Sequence, residues 1–251
     1  MSEPIQSLWI GPRLSAMERA SLSSFLRCGH EVHLYTYGDV DGVPDGVVVR
    51  EGTEILPAER IFRYREHDTV SGFSNYFRYK LLLERGGWWV DTDLICLRPF
   101  TFAGDYVFAS ELSKGAAVVT SSAIKAPRGS EAMRFAWEFC DARDPQSLRW
   151  GETGPALAQQ IVERFGLHDA VQPPQVFCPI PFWEWRRIVD ADAPELPEEA
   201  HAVHLWNELW RRNGVDKDAA HDPGSLYERL KMSTDPCCGA GRTPARRDIS
   251  A

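Results

Sequence analysis

The stretch from Arg78 to Leu97 constrains this chain more than any other. A helical pattern runs into Gly86-Gly87, a pair that stops a helix because glycine enters the left-handed cap conformation without a Cβ clash. An apolar run follows, with Trp88, Trp89 and Val90 before and Leu94 and Ile95 after two aspartates, Asp91 and Asp93. Read as one strand, the run alternates its side chains, so the two carboxylates point one way and Thr92 the other. Carboxylates in apolar surroundings need a counter-charge. A divalent cation answers both at once, and oxygen ligands at this spacing suit Mn²⁺ or Mg²⁺. Three other Asp-x-Asp pairs, Asp39/Asp41, Asp190/Asp192 and Asp216/Asp218, sit beside Gly, Pro, Ala or Lys and read as turns or solvated surface.

The 251 residues are enough for one large α/β domain with a real core, and 43% hydrophobic content with nine tryptophans predicts a folded chain with aromatic-lined clefts. A net charge of −8 argues against nucleic acid as the partner. No stretch approaches the ~20 apolar residues a membrane-spanning helix needs. The opening Met-Ser-Glu-Pro-Ile-Gln lacks the basic and apolar regions of a signal peptide, so the expected location is cytoplasmic. Cys28, Cys96, Cys140 and Cys178 read as isolated thiols within apolar or helical contexts, and Cys237-Cys238 is a poor spacing for zinc.

Residues 5–10 read as a strand, and Ser15-Ala-Met-Glu18 as a capping box opening a helix to about Cys28. Strands over 31–37 and 46–50 complete a β-α-β-β opening of the nucleotide-binding kind. A short helix and loop are expected over 57–70 and a strong helix over 72–85. Strands follow over 106–110 and 116–121, joined through Lys114-Gly115. Helices are expected over 129–142 and 154–165, then a Pro-, Trp- and acid-rich loop region over the cleft (171–200), a short strand (201–206) and a small helix (224–232). The domain is expected to span 1–232, and 233–251 to form a disordered tail.

The run from Ser74 through Asn75, Arg78 and Gly86-Gly87 to Asp91-Thr92-Asp93 resembles the DXD sugar-binding region of glycosyltransferase family 32, which includes α-1,4-galactosyltransferase-like and capsular-polysaccharide enzymes. Three further pieces follow that family's order: Ser7-Leu-Trp9-Ile10-Gly11, Glu152-Thr153-Gly154-Pro155, and His204-Leu-Trp206-Asn-Glu-Leu-Trp210. The resemblance covers roughly residues 5 to 212. It implies a single GT-A-like α/β domain, with a Rossmann-like nucleotide-binding mixed sheet flanked by helices.

The resemblance further implies a metal-dependent, retaining transfer of a hexose from a nucleotide-diphosphate sugar, with a UDP-sugar favoured. The acceptor would be a glycan or small molecule, as in bacterial surface polysaccharide biosynthesis. Asp93, with Asp91 and His204, would hold the metal, and Asp91 would also contact ribose or sugar. Asp91, Asp93 and Arg78 are the candidate catalytic residues. Trp9 and Ile10 would meet the nucleotide base, and Thr92, Gly154 and Trp206 would line the substrate. Asn75 and Arg78 are three apart, so they share a helix face that leads into the aspartates and can overlook the donor sugar. The family pattern has Asp where this chain has Asn75, which bears on donor identity and activity. Trp183, Trp185, Trp206 and Trp210 are candidates for stacking acceptor sugars. The competing readings are a metal-dependent nucleotide-sugar hydrolase, which would want more clustered ligands, and a nucleotide-sugar or glycan-binding protein with weak catalysis, which Asn75 favours.

Overall fold

The computed structural model describes residues 3–234. Expectations for Cys237-Cys238 and for residues 235–251 lie outside the described residues.

Strand β1 (Ile5–Trp9) leads to helix α1 (Ala16–Arg27), then to strands β2 (Val32–Thr36) and β3 (Val48–Glu51). The α1 start is the capping box the sequence spells: Ser15 caps the helix, and the Glu18 side chain returns to the Ser15 amide. Helix α2 (Ser71–Arg85) ends on Gly86 at φ 69°, where a Cβ would stand 2.5 Å from the Arg128 nitrogen. That position therefore requires glycine. Next come β4 (Gly87–Val90), β5 (Leu94–Cys96) and the hairpin of β6 (Val107–Ser113) and β7 (Ala116–Ala126). The rest of the chain contributes α3 (Glu131–Asp141), α4 (Pro155–Phe165), α5 (Pro174–Phe177), β8 (Ala202–His204), α6 (Asn207–Arg212) and α7 (Leu226–Thr234).

Six strands form one mixed sheet in the order β3-β2-β1-β4-β7-β6. Strands β3, β2, β1 and β4 run parallel; β7 is antiparallel to β4 and to β6. Alternation along the strands splits the core. Ile5, Val32, Leu34, Trp88 and Val90 pack with α1 on one face, while Leu8, Tyr35, Trp89 and Ile124 pack with α2, α3 and α4 on the other. The chain leaves β1 toward β2 and β3, then returns to β4 on the opposite side of β1. The crevice beyond the carboxyl ends of β1 and β4 is thus a switch point of an open α/β sheet, where ligands bind. Trp9 ends β1 there, and Asp91 follows β4.

One expectation fails at this place. Asp91, Thr92 and Asp93 are not in a strand: they form a turn, with Leu94 N donating to Asp91 O at 3.1 Å. The apolar run is two strands, and they belong to different sheets, because β5 pairs only with β8 in a separate antiparallel pair. Alternation cannot therefore be what brings the two carboxylates together. The 171–200 region is also more structured than a loop, with α5 and a 3₁₀ segment over 182–188 contributing Phe177, Trp185 and Ile188 to the core. Helix α6 was not anticipated. Among the described residues no helix is long and apolar enough to cross a membrane.

Candidate active site

The turn places each aspartate on a different support. Asp91 stays tied to the large sheet: its amide donates to Ser122 O on β7 at 2.8 Å, and its Oδ1 accepts from Arg78 Nη2 at 2.7 Å and from Trp89 Nε1 at 2.9 Å. Arg78 is no surface cation. It is 3% exposed, donates from Nη1 to Ser121 O at 2.9 Å, and lies over the Trp89 ring at 4.9 Å. A buried guanidinium fixed at this many points holds its carboxylate rigidly.

Asp93 is tied to the small sheet. Its carbonyl accepts from Leu205 N at 2.9 Å, and its Oδ2 accepts from Asn207 N at 2.8 Å. The register that sets Leu94 opposite His204 brings the imidazole in, with Nε2 3.3 Å from Asp93 Oδ2. Trp206, between His204 and Asn207, adopts the left-handed conformation at φ 59°, which is strained for a residue with a bulky side chain. The bend is held by Trp206 Nε1 donating to Ile180 O at 2.9 Å and by the indole resting 4.1 Å from the His204 ring. It turns the Asn207 amide onto Asp93.

The two aspartates expected on one strand face meet instead across a turn, and the β5–β8 register brings in His204, which the family resemblance had offered. Asp91, Asp93 and His204 each offer a ligand atom, and these all lie within 4.8 Å of one another. Burial pushes the Asp91 carboxyl above the ordinary carboxylate range; Arg78 opposes that rise and Asp93 adds to it. Burial also opposes charge on Asp93 and His204, but their mutual attraction prevails. Asp93 is held below its ordinary value and His204 well above its own. Arg78 on Asp91 and a protonated His204 on Asp93 balance the two carboxylates, and displacing the His204 proton leaves one negative charge for a cation to answer. The protein's own hydrogen bonds fall on one oxygen of each carboxylate, Oδ1 of Asp91 and Oδ2 of Asp93. A donor set of two carboxylates and one imidazole fits Mn²⁺.

The cluster lies in a cleft of about 840 Å³, whose lining also includes Trp9, Ile10, Asn75, Arg78, Thr92 and Trp206. Gly154 is not in that lining but backs Asn75: a Cβ there would come 3.2 Å from Asn75 Nδ2, the atom that donates to Thr153 Oγ1 at 3.3 Å. Of the four tryptophans offered for acceptor stacking, only Trp206 lines the cleft. Trp183 is 50% exposed, while Trp185 and Trp210 are core residues. The other Asp-x-Asp pairs lie at exposed positions.

The lining also includes Lys217 and Trp150, which no local sequence pattern marks. Lys217 sits 5.6 Å from the Trp9 ring and pairs with the buried Glu18; its only sequence signal is a lysine downstream of the His/Trp element. Trp150 closes one side of the mouth. Arg212 of α6 lies over its ring at 4.6 Å, and His67 meets it edge-on at 4.8 Å. Arg211 of the same helix donates to His67 O at 2.7 Å. The cleft rim thus links α6, which begins at the Asp93 contact, to the 60s loop.

The family model described as "Glycosyltransferase sugar-binding region containing DXD motif" matches residues 54–113, and the "Alpha 1,4-glycosyltransferase conserved region" matches residues 142–237. A human alpha-1,4-N-acetylglucosaminyltransferase is 25% identical over 173 residues, 62% of this chain and 48% of the relative. The chain thus spans about half the length of the curated relative it matches. Among solved structures, the apo-form glycosyltransferase GlyE of Streptococcus pneumoniae TIGR4 superposes over 92% of this chain and 61% of its own with a TM-score of 0.51 at 12% identity. That likeness places the mixed sheet and its flanking helices in the GT-A fold. The first family match contains the Asp91-Thr92-Asp93 turn and the second contains His204, so the two sides of the acidic cluster each fall in a recognised glycosyltransferase segment, a pattern consistent with glycosyltransferase family 32.

Proposed function

We propose that this chain is a metal-dependent, retaining glycosyltransferase that moves a hexose from a nucleotide-diphosphate sugar, with a UDP-sugar favoured, to a carbohydrate or small-molecule hydroxyl in an α-1,4 linkage. One observation carries this reading: two carboxylates and an imidazole, from two different sheets, converge at the switch point of an α/β sheet inside a cleft large enough for a nucleotide sugar. Bound Mn²⁺ or Mg²⁺ would supply charge to stabilise the leaving diphosphate; Asp93, Asp91 and His204 would hold it.

The remaining work falls to this chain's own residues. Trp9 and Ile10, at the end of β1, face the cleft where a base can stack. Lys217 stands beside Trp9 and offers a cation to phosphate oxygens. Asn75 and Arg78 present one helix face to the sugar, with Arg78 also holding Asp91 in place. Phe182 and Trp206 line the cleft with apolar surface that excludes water from the reacting centre. Retention and a role in polysaccharide assembly follow from the family resemblance.

The test is thermal-shift screening of UDP- and GDP-sugars with and without Mn²⁺, followed by turnover with and without sugar acceptors. The expected outcome is stabilisation by nucleotide only when metal is present, by about 2.7 kcal/mol at a hundred times Kd, and transfer that exceeds hydrolysis. Binding of no nucleotide sugar contradicts the proposal, and turnover by hydrolysis alone replaces the transferase with a hydrolase.

A further inference from the structure

The cleft holds one more half-buried carboxylate, Glu111 of β6. Asp216, also in the lining, is exposed to solvent and accepts from the Asp218 amide, and the other buried or half-buried carboxylates are answered by the protein itself. Asp91 is paired with Arg78, Asp93 with His204 and the Asn207 amide, and Glu208 with Arg211 and Arg212. Glu111 makes no ion pair with any lysine or arginine among the described residues. It stands outside the cluster of Asp91, Asp93 and His204, whose ligand atoms lie within 4.8 Å of one another. Burial pushes its carboxyl upward, and neither the His204 charge nor the Thr120 hydroxyl offsets that fully. A desolvated acceptor facing a cleft without a protein donor of full strength is an acceptor left for a ligand.

Its position selects the ligand. Glu111 stands opposite Val118 in the β6–β7 ladder, one diagonal step from Thr120, which is 4% exposed and lines the same cleft. The next residue, Ser121, gives its carbonyl to Arg78 at 2.9 Å. The Glu111–Thr120 pair is therefore contiguous with the Asn75–Arg78 face. A hexose offers neutral hydroxyl donors in adjacent positions, and a carboxylate accepts two of them with bonds stronger than neutral pairs make. We infer that Glu111, supported by Thr120, reads the hydroxyls of the transferred sugar and so sets which hexose the enzyme accepts. This inference rests on the donor reading proposed above.

The experiment compares wild type, Glu111→Gln and Glu111→Asp for binding of UDP, UDP-glucose, UDP-galactose, UDP-N-acetylglucosamine and GDP-mannose with Mn²⁺ by calorimetry, and for donor KM and kcat. Glu111→Gln keeps the shape and removes the charge. It should leave UDP affinity within about twofold and weaken the preferred sugar donor by roughly 10–100-fold, the scale of one lost hydrogen bond to a charged group. The ranking among hexoses should flatten, and Glu111→Asp, confirmed folded by thermal unfolding, should fall between. Unchanged donor ranking in Glu111→Gln overturns the inference while leaving the donor reading intact. So does a change confined to the acceptor KM, or an equal loss for UDP and its sugars. A covalent glycosyl adduct on Glu111 found by mass spectrometry also overturns it. A wild-type protein that binds none of the five nucleotides overturns the donor reading and this inference with it.

Discussion

The two arms of the acidic site are built differently. The Asp91 arm is local: Arg78 lies thirteen positions away and Trp89 two, on the helix and strand that flank Gly86-Gly87. The Asp93 arm is remote: its amide donor, Asn207, is 114 positions along the chain, and its imidazole partner comes from β8. The Asp91 arm belongs to the six-stranded sheet and the Asp93 arm to the two-stranded one. A motif three residues long thus works as a clasp between two sheets. A ligand bound at the clasp would join a half whose side-chain partners are local, steadied by Ser121 and Ser122 of β7, to a half that depends on chain closure and on one strained tryptophan.

If that contrast is right, removing the charge of the remote arm should be the largest single effect. Asp93→Asn should abolish metal-dependent nucleotide binding, weakening it by more than ~100-fold, while the unfolding profile stays cooperative. Calorimetry of UDP with Mn²⁺ checks this, and unchanged affinity would take Asp93 out of the site.

The local arm should respond differently. Arg78→Ala should lower transfer by at least ~10², the scale of losing one well-placed charged contact. It should also destabilise the fold, because Asp91 loses its partner; about 2 kcal/mol is expected, below the ~3–5 of a fully buried pair, since the Asp91 side chain keeps 28% exposure. Denaturant unfolding separates the two losses. A variant with full stability and reduced turnover would mean that Arg78 acts on substrate alone.

His204→Ala should raise the Mn²⁺ concentration for half-maximal activity by ~10–100-fold, with recovery at high Mn²⁺. Asp93 holds the His204 imidazole protonated well above its ordinary range, and a metal must displace that proton. Mn²⁺ affinity should therefore be weak at low pH and strengthen as pH rises through the raised His204 value. The same step should be missing in His204→Ala, as buffer-dependent calorimetry can read. An identical pH profile in both proteins would contradict the assignment.

The smallest effect is expected at Asn75, where this chain departs from the family's Asp. Its Nδ2 donates to Thr153 Oγ1, and an aspartate could accept from the same hydroxyl. Asn75→Asp should leave stability within ~0.5 kcal/mol and move donor KM by only a few-fold, checked by unfolding and steady-state kinetics. A larger change would place Asn75 in direct charge recognition.

The same contrast explains what the chain's sequence disclosed. The capping box at Ser15, the Gly86 stop, the β6–β7 hairpin and the Asn75–Arg78 face are local patterns, with each residue's neighbours within a few positions. Reading Asp91 and Asp93 as one strand failed because alternation is a property of an unbroken ladder, and nothing local says that the chain changes sheets at Thr92. Helix α6 is only six residues, begins after a left-handed tryptophan and has no side-chain cap, so no capping signal marks it. Glu111, Trp150 and Lys217 enter the cleft through tertiary packing, which periodicity does not encode. His204 was reachable only through family order, since a single histidine beside a tryptophan is ordinary core chemistry until Leu94 is found opposite it.

The central claim is that Asp91, Asp93 and His204 form one metal site with a nucleoside diphosphate. The direct test is a crystal structure with Mn²⁺ and UDP, with data collected for anomalous scattering from manganese. The account predicts one anomalous peak between the two arms, within ~2.0–2.3 Å of His204 Nε2 and of an Asp93 oxygen, with diphosphate oxygens completing the shell. A peak elsewhere in the cleft, or UDP bound there with the His204 ring turned away from the ion, would contradict it.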